Sequence, residues 1–150
     1  MITDEQFLNI IDSTPLVSID LIIENHRGDV LLGKRLNKPA QSYWFVPGGR
    51  IRKNEKIADA FNRISQVELG TALSINDAEL LGAYNHIYDD NYFGKEDINT
   101  HYVVLGYKIK WPDGLELHAD DQHSDLQWWP LDYLLDSPEV HDNTKAYFKQ

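Results

Sequence analysis

The spacing of apolar residues changes at the sequence Pro47-Gly48-Gly49-Arg50. On the N-terminal side of this turn, apolar residues form short runs that are typical of β-strands, at residues 16–24, 30–35 and 43–46. On the C-terminal side, they recur at positions i, i+3, i+4 and i+7, as on one face of a helix: Ile57, Ala60, Phe61 and Ile64. Gly70 then stands where a helix C-terminal cap is expected. This change of period favours a fold that combines strands with helices.

Further elements are predicted on both sides of this segment. Thr3-Asp4-Glu5-Gln6 has the capping-box pattern, so a helix should begin there and end near Asp12. Ser137-Pro138-Glu139 should open a last helix that ends near Lys149, because proline favours the first helical position. Further strands are expected at residues 79–88, 101–111 and 126–129. The order of elements predicts one domain over residues 1–150, of α/β (α+β) class, with a mixed β-sheet sandwiched between helices.

Composition excludes several classes of function. The 150 residues include 14 Lys+Arg against 24 Asp+Glu, and this net charge of −10 opposes general binding to nucleic acid or to an anionic membrane. There is no cysteine, which removes disulfides, thiol catalysis and zinc–thiolate sites. No apolar run approaches the roughly 20 residues of a membrane span, and the polar start is not a signal peptide. We expect a soluble, cytoplasmic protein.

The basic residues are concentrated in one part of this acidic chain. Residues 34–63 contain eight of the 14 Lys+Arg and only two acidic residues, Glu55 and Asp59. Such a cluster can be a solvated basic face. It can also be a local site for an anion such as phosphate, because a positive cleft attracts an anion despite the adverse overall charge. Charge alone does not decide between the two. The basic residues concerned are Lys34, Arg35, Lys38, Arg50, Arg52, Lys53, Lys56 and Arg63.

The densest chemical signal is the pair Gly48-Gly49 followed by a helix that carries Glu68 in its last turn. Consecutive glycines allow the backbone to approach a ligand or a metal closely, with a carbonyl directed at it. A carboxylate is unfavourable at a helix C-terminus, against the helix dipole, unless a cation compensates it. Glu68 as an ordinary surface residue is the competing interpretation.

These residues resemble the Nudix superfamily, whose box reads Gly-x5-Glu-x7-Arg-Glu-U-x-Glu-Glu-x-Gly-U, where U is aliphatic. The positions that match are Gly49, Glu55, Arg63, Glu68 and Gly70. Ile64, Ser65 and Val67 stand where Glu, U and Glu are expected, and Thr71 replaces the closing aliphatic residue. An ordinary Nudix enzyme uses the missing glutamates to gather several magnesium ions and to cleave a diphosphate. The resemblance therefore implies a Nudix fold that holds fewer metal ions.

This defect resembles one branch of the superfamily, the GDP-mannose mannosyl hydrolases. The resemblance extends over nearly the whole chain, from about Phe7 to Phe148, and is strong at residues 13–18, 31–35, 43–50, 89–91, 100–106 and 122–123. It implies hydrolysis of GDP-mannose, and of GDP-glucose, to GDP and free sugar by attack of water on the anomeric carbon with inversion. It also implies a homodimer with one Mg²⁺ ion per subunit, held by the Gly48 carbonyl, Glu68 and Gln122.

The resemblance assigns the remaining roles residue by residue. Arg35 and Arg50 contact the diphosphate and stabilise its developing charge, and His123 is the general base. Substrate contacts fall to Asp20 and His86 at the sugar, Tyr102 at the diphosphate and Phe7 at the nucleoside. A pKa near 6.5 suits an imidazole to the role of base.

Each assignment has a structural alternative. His123 can be a solvated loop residue, and His86 and Tyr102 can face solvent on their strands. Phe7 can be a core residue of its helix. A carboxylate at Asp20, inside an apolar strand, must be paired or functional if it is buried. Two other functions stay open at this point: a Nudix pyrophosphatase that gives GMP and sugar 1-phosphate, and an inactive module that binds a nucleotide sugar.

Overall fold

The first helix shows how local sequence determines the elements of this fold. The computed structural model describes residues 2–117 and 126–149. Helix α1 (Asp4–Ser13) begins at the predicted capping box: the Thr3 hydroxyl accepts a hydrogen bond from the Gln6 amide, and the Gln6 side chain accepts one from the Thr3 amide. Two amide groups that have no partner within the helix are hydrogen-bonded in this way, which fixes the start of the helix.

A mixed sheet forms the centre of the molecule. Its strands follow the order β3-β2-β1-β6-β5, while β4 pairs with β1 and β7 pairs with β2. Strand β1 runs parallel to β6, and the other pairs are antiparallel. The strands are β1 (Leu16–Glu24), β2 (Val30–Lys34), β3 (Trp44–Phe45), β4 (Gly48–Arg50), β5 (Glu79–Tyr88), β6 (Thr100–Lys110) and β7 (Leu126–Trp129). The helices after α1 are α2 (Ile57–Leu69), α3 (Leu131–Asp136) and α4 (Asp142–Lys145), with 3₁₀ turns at Ile75–Asp77 and Ala146–Phe148.

Helices cover both faces of the sheet, as the sequence predicts. On one face, Ile19 and Leu21 of β1 pack with Phe61 and Ile64 of α2. On the other face, Ile22 of β1 belongs to a second apolar cluster with residues of the C-terminal segment, Leu134 and Val140. Both faces of β1 are therefore buried, which explains its nearly continuous apolar sequence.

Helix α2 ends where the sequence predicts, because Gly70 adopts a left-handed conformation with φ of 74° and its amide donates to the Gln66 carbonyl. The predicted last helix is wrong in its start. Residues 138–139 form a turn, and Val140 bridges to Trp44 beside β3. The helix begins only at Asp142, where the His141 imidazole accepts a hydrogen bond from the Asn143 amide.

Three elements were not predicted, namely α3, β4 and the 3₁₀ turn at Ile75–Asp77. The Pro-Gly-Gly sequence indicates a turn, yet Gly48–Arg50 forms a short strand against Ser18–Asp20 of β1. The other boundary differences are one or two residues at strand ends. No helix in the described part of the chain is long and apolar enough to cross a bilayer.

Candidate active site

A cavity of about 410 Å³ opens beside strands β1, β2, β4, β5 and β6. Most of the predicted site residues line it: Asp20, Arg35, Gly48, Arg50, Glu68, His86 and Tyr102. Gln122 and His123 lie outside the described residues, and Phe7 does not line the cavity. The fold therefore brings together residues that are separated by up to about eighty positions in sequence.

Strand β4 places the backbone of Gly48 against Asp20. The two residues are register partners in the β1–β4 pair, and the Leu21 amide donates to the Pro47 carbonyl over 2.8 Å. A Cβ atom at position 48 would lie 2.5 Å from Asp20 Oδ1 and 2.5 Å from the Ile19 carbonyl oxygen. Only glycine fits this close approach, which keeps the Gly48 backbone at the cavity wall.

Helix α2 brings Glu68 to the same cavity. Glu68 lies in the last turn of the helix and is partly buried. A backbone carbonyl and a carboxylate are oxygen donors of the kind that Mg²⁺ prefers. Within residues 2–117 and 126–149, no group of three or more His, Cys, Asp or Glu side chains is arranged to hold a metal. The residues at this wall fit a single hard cation that takes a backbone oxygen among its ligands.

The basic cluster divides into two groups. Lys34, Arg35, Lys38 and Arg50 line the cavity, whereas the acidic residues among its described lining are Asp20 and Glu68. The cavity wall is thus more basic than acidic in a protein of net charge −10. Arg52, Lys53 and Lys56 are exposed and agree with a solvated basic face, and Arg63 is paired with Glu55. The anion-site interpretation concerns the four residues at the cavity and stays a prediction.

Arg35 is held in place over an aromatic wall. Its Nη1 atom donates to the Pro39 carbonyl over 2.9 Å, and its guanidinium lies 4.4 Å from the Phe45 ring centre and 5.6 Å from that of Tyr88. Cation–π contacts of this kind favour a fixed orientation. Its remaining N–H groups are suited to bind phosphate oxygens in a fork-shaped geometry.

The Arg50 guanidinium packs against the ring of Phe7. The Arg50 guanidinium lies 4.3 Å from the centre of the Phe7 ring, and Phe93 meets that ring edge-on at 5.9 Å. Phe7 is partly buried on α1. Phe7 therefore contacts a residue of the cavity wall, and its contact with the nucleoside stays a prediction.

Asp20 is paired, as a carboxylate in an apolar strand requires. The Tyr147 hydroxyl donates to Asp20 Oδ2 over 2.6 Å. Burial raises the pKa of Asp20 to about 6, although the hydrogen bond from Tyr147 and the positive charge of Arg35 act in the opposite direction. No local sequence signal links these two residues, which are 127 positions apart.

His86 and Tyr102 face the cavity and not bulk solvent. They are register partners in the β5–β6 pair. Burial, together with the nearby His141 and Arg35, lowers the pKa of His86 to about 4, so this imidazole is neutral near pH 7. Burial also raises the pKa of the Tyr102 hydroxyl, which therefore remains a neutral donor.

Arg63 braces the segment between β4 and α2. Its Nε and Nη2 atoms donate to the two Glu55 carboxylate oxygens over 2.8 and 3.0 Å, and Nη2 also donates to the Arg50 carbonyl over 2.8 Å. The hydrogen bonds from Arg63 hold the pKa of Glu55 at about 2. These two residues of the box thus support the backbone next to the cavity.

Comparison with known proteins agrees with this architecture. The NUDIX domain family matches residues 14–150. The low-salt glycan biosynthesis protein Agl8 of Haloferax volcanii is 41% identical over 127 residues, which cover 84% of this chain and 78% of that protein.

Solved structures show the same fold. A MutT NUDIX hydrolase from Burkholderia pseudomallei superposes with a TM-score of 0.72 at 30% identity, over 92% of this chain and 98% of that one. The NUDIX domain of Shewanella oneidensis NrtR, solved in complex with ADP ribose, has a TM-score of 0.66 at 21% identity, over 98% of this chain and 96% of that one, and is similar in fold alone. The predicted Nudix fold is confirmed, and the chain belongs to the NUDIX domain family.

Proposed function

We propose that this Nudix protein hydrolyses GDP-mannose, and also GDP-glucose, to GDP and free sugar by attack of water on the anomeric carbon with inversion. One observation carries the proposal: the described wall of the cavity combines four basic residues with only two carboxylates. Among its described lining residues, only Asp20 and Glu68 are acidic, whereas Arg35 and Arg50 are available for a diphosphate.

The small number of carboxylates on the described cavity wall opposes attack on phosphorus through several metal ions. Ile64 is 1% exposed and Ser65 is fully buried, so neither position offers a ligand to the cavity. Val67 is 43% exposed on α2 and is apolar. Multi-metal phosphoryl chemistry depends on clustered carboxylates. When the bond between the anomeric carbon and GDP breaks, negative charge develops on the diphosphate. This reaction therefore needs groups that stabilise that charge.

Arg35 and Arg50 supply that stabilisation in the proposal. Both line the cavity, and each is held by an aromatic ring. Fixed guanidinium groups aimed at a developing negative charge lower the barrier without reorganisation. Tyr102, which lines the same cavity, adds a neutral hydroxyl donor for the diphosphate. Phe7, whose ring lies against Arg50, is the proposed contact for the nucleoside.

The proposed metal is one Mg²⁺ ion per subunit. Gly48, Glu68 and Gln122 would hold it, and the close approach of Gly48 to Asp20 fits a backbone ligand at this wall. When bound, such an ion adds positive charge that favours departure of the GDP diphosphate.

His123 is the proposed general base. Leu126, three positions later in sequence, lines the cavity. His86 is less suited to that role, because its pKa of about 4 makes it a weak base. We propose that His86 and Asp20 contact the sugar hydroxyls. His86 does so as a neutral imidazole, and Asp20 as a carboxylate that accepts hydrogen bonds.

A sugar substrate agrees with the name of one relative. Agl8 of Haloferax volcanii is described as a glycan biosynthesis protein, and this name supports a role in sugar metabolism for the present chain. We also propose that the protein forms a homodimer and is located in the cytoplasm.

Hydrolysis in ¹⁸O-labelled water tests the proposed reaction. Label in mannose, with unlabelled GDP, would show attack on carbon, and NMR of the fresh product should show the anomer opposite to that of the substrate. Label in GMP or in sugar 1-phosphate would instead show a pyrophosphatase. Binding of GDP-mannose without turnover at any magnesium concentration would indicate a binding module. Either of the last two outcomes contradicts the proposal.

Two substitutions test the proposed roles. His123→Ala should lower kcat by about 10²–10⁴-fold and leave magnesium binding intact, because only the base is removed. Glu68→Gln should raise the magnesium concentration for half-maximal activity by at least about tenfold. His26→Ala and Glu79→Gln, both at exposed positions, are the matched controls. Full activity of the first variant, or an unchanged magnesium titration of the second, would contradict the assignment.

A further inference from the structure

Tyr147 lies directly behind the cavity, where it holds the carboxylate of Asp20. Its hydroxyl donates to Asp20 Oδ2 over 2.6 Å, while Asp20 Oδ1 lies against Gly48. Asp20 lines the cavity, whereas Tyr147 does not. The Asp20 carboxylate therefore contacts the β4 backbone on one side and Tyr147, from the C-terminal 3₁₀ turn, on the other. These two contacts restrict its rotation about the Cβ–Cγ bond.

The sheet has a space for this tyrosine. Gly106 of β6 is the register partner of Asp20, and a Cβ atom there would lie 2.8 Å from Tyr147 Cε1 and 3.3 Å from Tyr84 Cε1. Tyr84 meets the Tyr147 ring edge-on at 4.7 Å, and His86 does so at 6.0 Å. The Tyr147 ring is thus enclosed on several sides, so its hydroxyl has a defined direction.

The chemistry around Asp20 selects for a neutral, hydroxyl-bearing group. An ionised carboxylate is an acceptor only, and it repels the phosphate groups that the basic wall attracts. Tyr147 occupies one of its acceptor sites and leaves the others for donors inside the cavity. A carboxylate with a fixed place can direct these free acceptor sites at hydroxyl groups of a bound sugar.

We propose that Tyr147 is a positioning residue for sugar recognition: it fixes the Asp20 carboxylate so that Asp20 accepts hydrogen bonds from hydroxyl groups of the hexose. The inference rests on the proposed function, in which Asp20 contacts the sugar of GDP-mannose. It adds the C-terminal segment to the substrate site.

The test compares GDP-mannose with GDP, which lacks the sugar. Tyr147→Phe keeps the ring and removes the hydrogen bond. We expect it to lower kcat/KM for GDP-mannose by about tenfold, the usual scale for a hydrogen bond to a charged group, and to leave the Kd of GDP unchanged. Tyr84→Phe is the matched control, because the Tyr84 hydroxyl makes no hydrogen bond to any residue in the described ranges.

A double-variant cycle shows whether Tyr147 acts through Asp20. Asp20→Asn should itself lower kcat/KM, and Tyr147→Phe should then cause no further loss. Gly106→Ala, which displaces the Tyr147 ring, should reproduce the selective loss by an independent route. Unfolding curves show that each variant is folded. An unchanged kcat/KM for Tyr147→Phe, a parallel loss of GDP affinity, or additive effects with Asp20→Asn would overturn the inference.

Failure of the proposed function is a separate outcome. It would be seen in the wild-type protein, as release of GMP or as no turnover. In that case calorimetry in EDTA still tests the role of Tyr147. It compares the affinities of the wild type and of Tyr147→Phe for GDP-mannose and for GDP. A loss by Tyr147→Phe that is confined to GDP-mannose supports sugar recognition, and equal affinities of wild type and variant contradict it.

Discussion

The outer positions of the Nudix box and its middle have different surroundings in this molecule. The outer positions support the backbone: Arg63 bridges Glu55 and the Arg50 carbonyl, and Gly70 ends α2 in a left-handed conformation. Two of the middle positions, Ile64 and Ser65, face the core. Ile64 packs against Gly49, and the buried Ser65 hydroxyl accepts a hydrogen bond from the Leu73 amide over 2.8 Å. The outer positions therefore hold the backbone in place, whereas Ile64 and Ser65, which differ from the box, serve packing.

The largest expected effect is the return of a glutamate to the buried middle. Ile64→Glu would place a carboxylate at a side chain that is 1% exposed and packed in the α2 core. Because a buried charge without a partner is costly, we expect the free energy of unfolding to fall by about 4 kcal/mol or more at pH 7. Urea unfolding followed by circular dichroism measures this change.

Ile64→Val is the control for the loss of packing alone, with an expected cost of about 1 kcal/mol. If Ile64→Glu were as stable as Ile64→Val, the new carboxylate would be in contact with a cation or with solvent. The contrast between middle and outer positions would then be wrong at this residue.

A smaller effect is expected at the outer ion pair, and it depends on pH. Hydrogen bonds from Arg63 hold the pKa of Glu55 at about 2, below its ordinary value of 4.5. The pair therefore stabilises the folded state fully above pH 4.5, and this contribution is lost as the pH falls from there towards 2. Glu55→Gln should cost about 1 kcal/mol at pH 7 and progressively less in acid.

Chemical denaturation of both proteins between pH 7 and pH 2.5 measures this convergence. Glu79→Gln, at an exposed strand position, serves as the matched control and should show no such trend. A stability difference that stays constant over the whole range would show that Glu55 acts by packing and not by its charge.

Much of the fold could be predicted from local patterns. Strands β1, β5 and β7 begin and end at the predicted residues, and α2 follows its apolar period to Gly70. The prediction fails where tertiary contacts decide. The bridge between Val140 and Trp44 draws residues 138–140 away from the helix that Pro138 indicates. Strand β4 exists because Gly48 can approach Asp20 closely, which no pattern within residues 47–50 reveals.

The candidate site shows the same limit. The resemblance identified the residues of the cavity wall, because they stand in recognisable local motifs. It did not identify Tyr147, whose hydrogen bond to Asp20 spans 127 positions and has no local signature. It also did not show that Arg50 covers Phe7, a contact that depends on the packing of α1 beside β4.

The smallest expected effect is at Val67, the exposed one of the three middle positions that differ from the box. Val67 is 43% exposed near the end of α2, so Val67→Glu restores a second carboxylate beside Glu68 without burying a charge. We expect the free energy of unfolding to stay within about 0.5 kcal/mol of the wild type, because the better helix propensity of Glu offsets its unfavourable interaction with the helix dipole. Val67→Gln isolates the charge from the change of shape.

The reaction products of Val67→Glu test whether a carboxylate at this position changes the reaction. The carboxylate missing at Ile64 remains missing in this variant, so we expect GDP and free sugar as products, as proposed for the wild type. Chromatography of the nucleotide products separates GDP from GMP. Appearance of GMP with Val67→Glu, but not with Val67→Gln, would show that a single surface carboxylate directs attack to phosphorus. The buried residues Ile64 and Ser65 would then have no part in the choice of reaction.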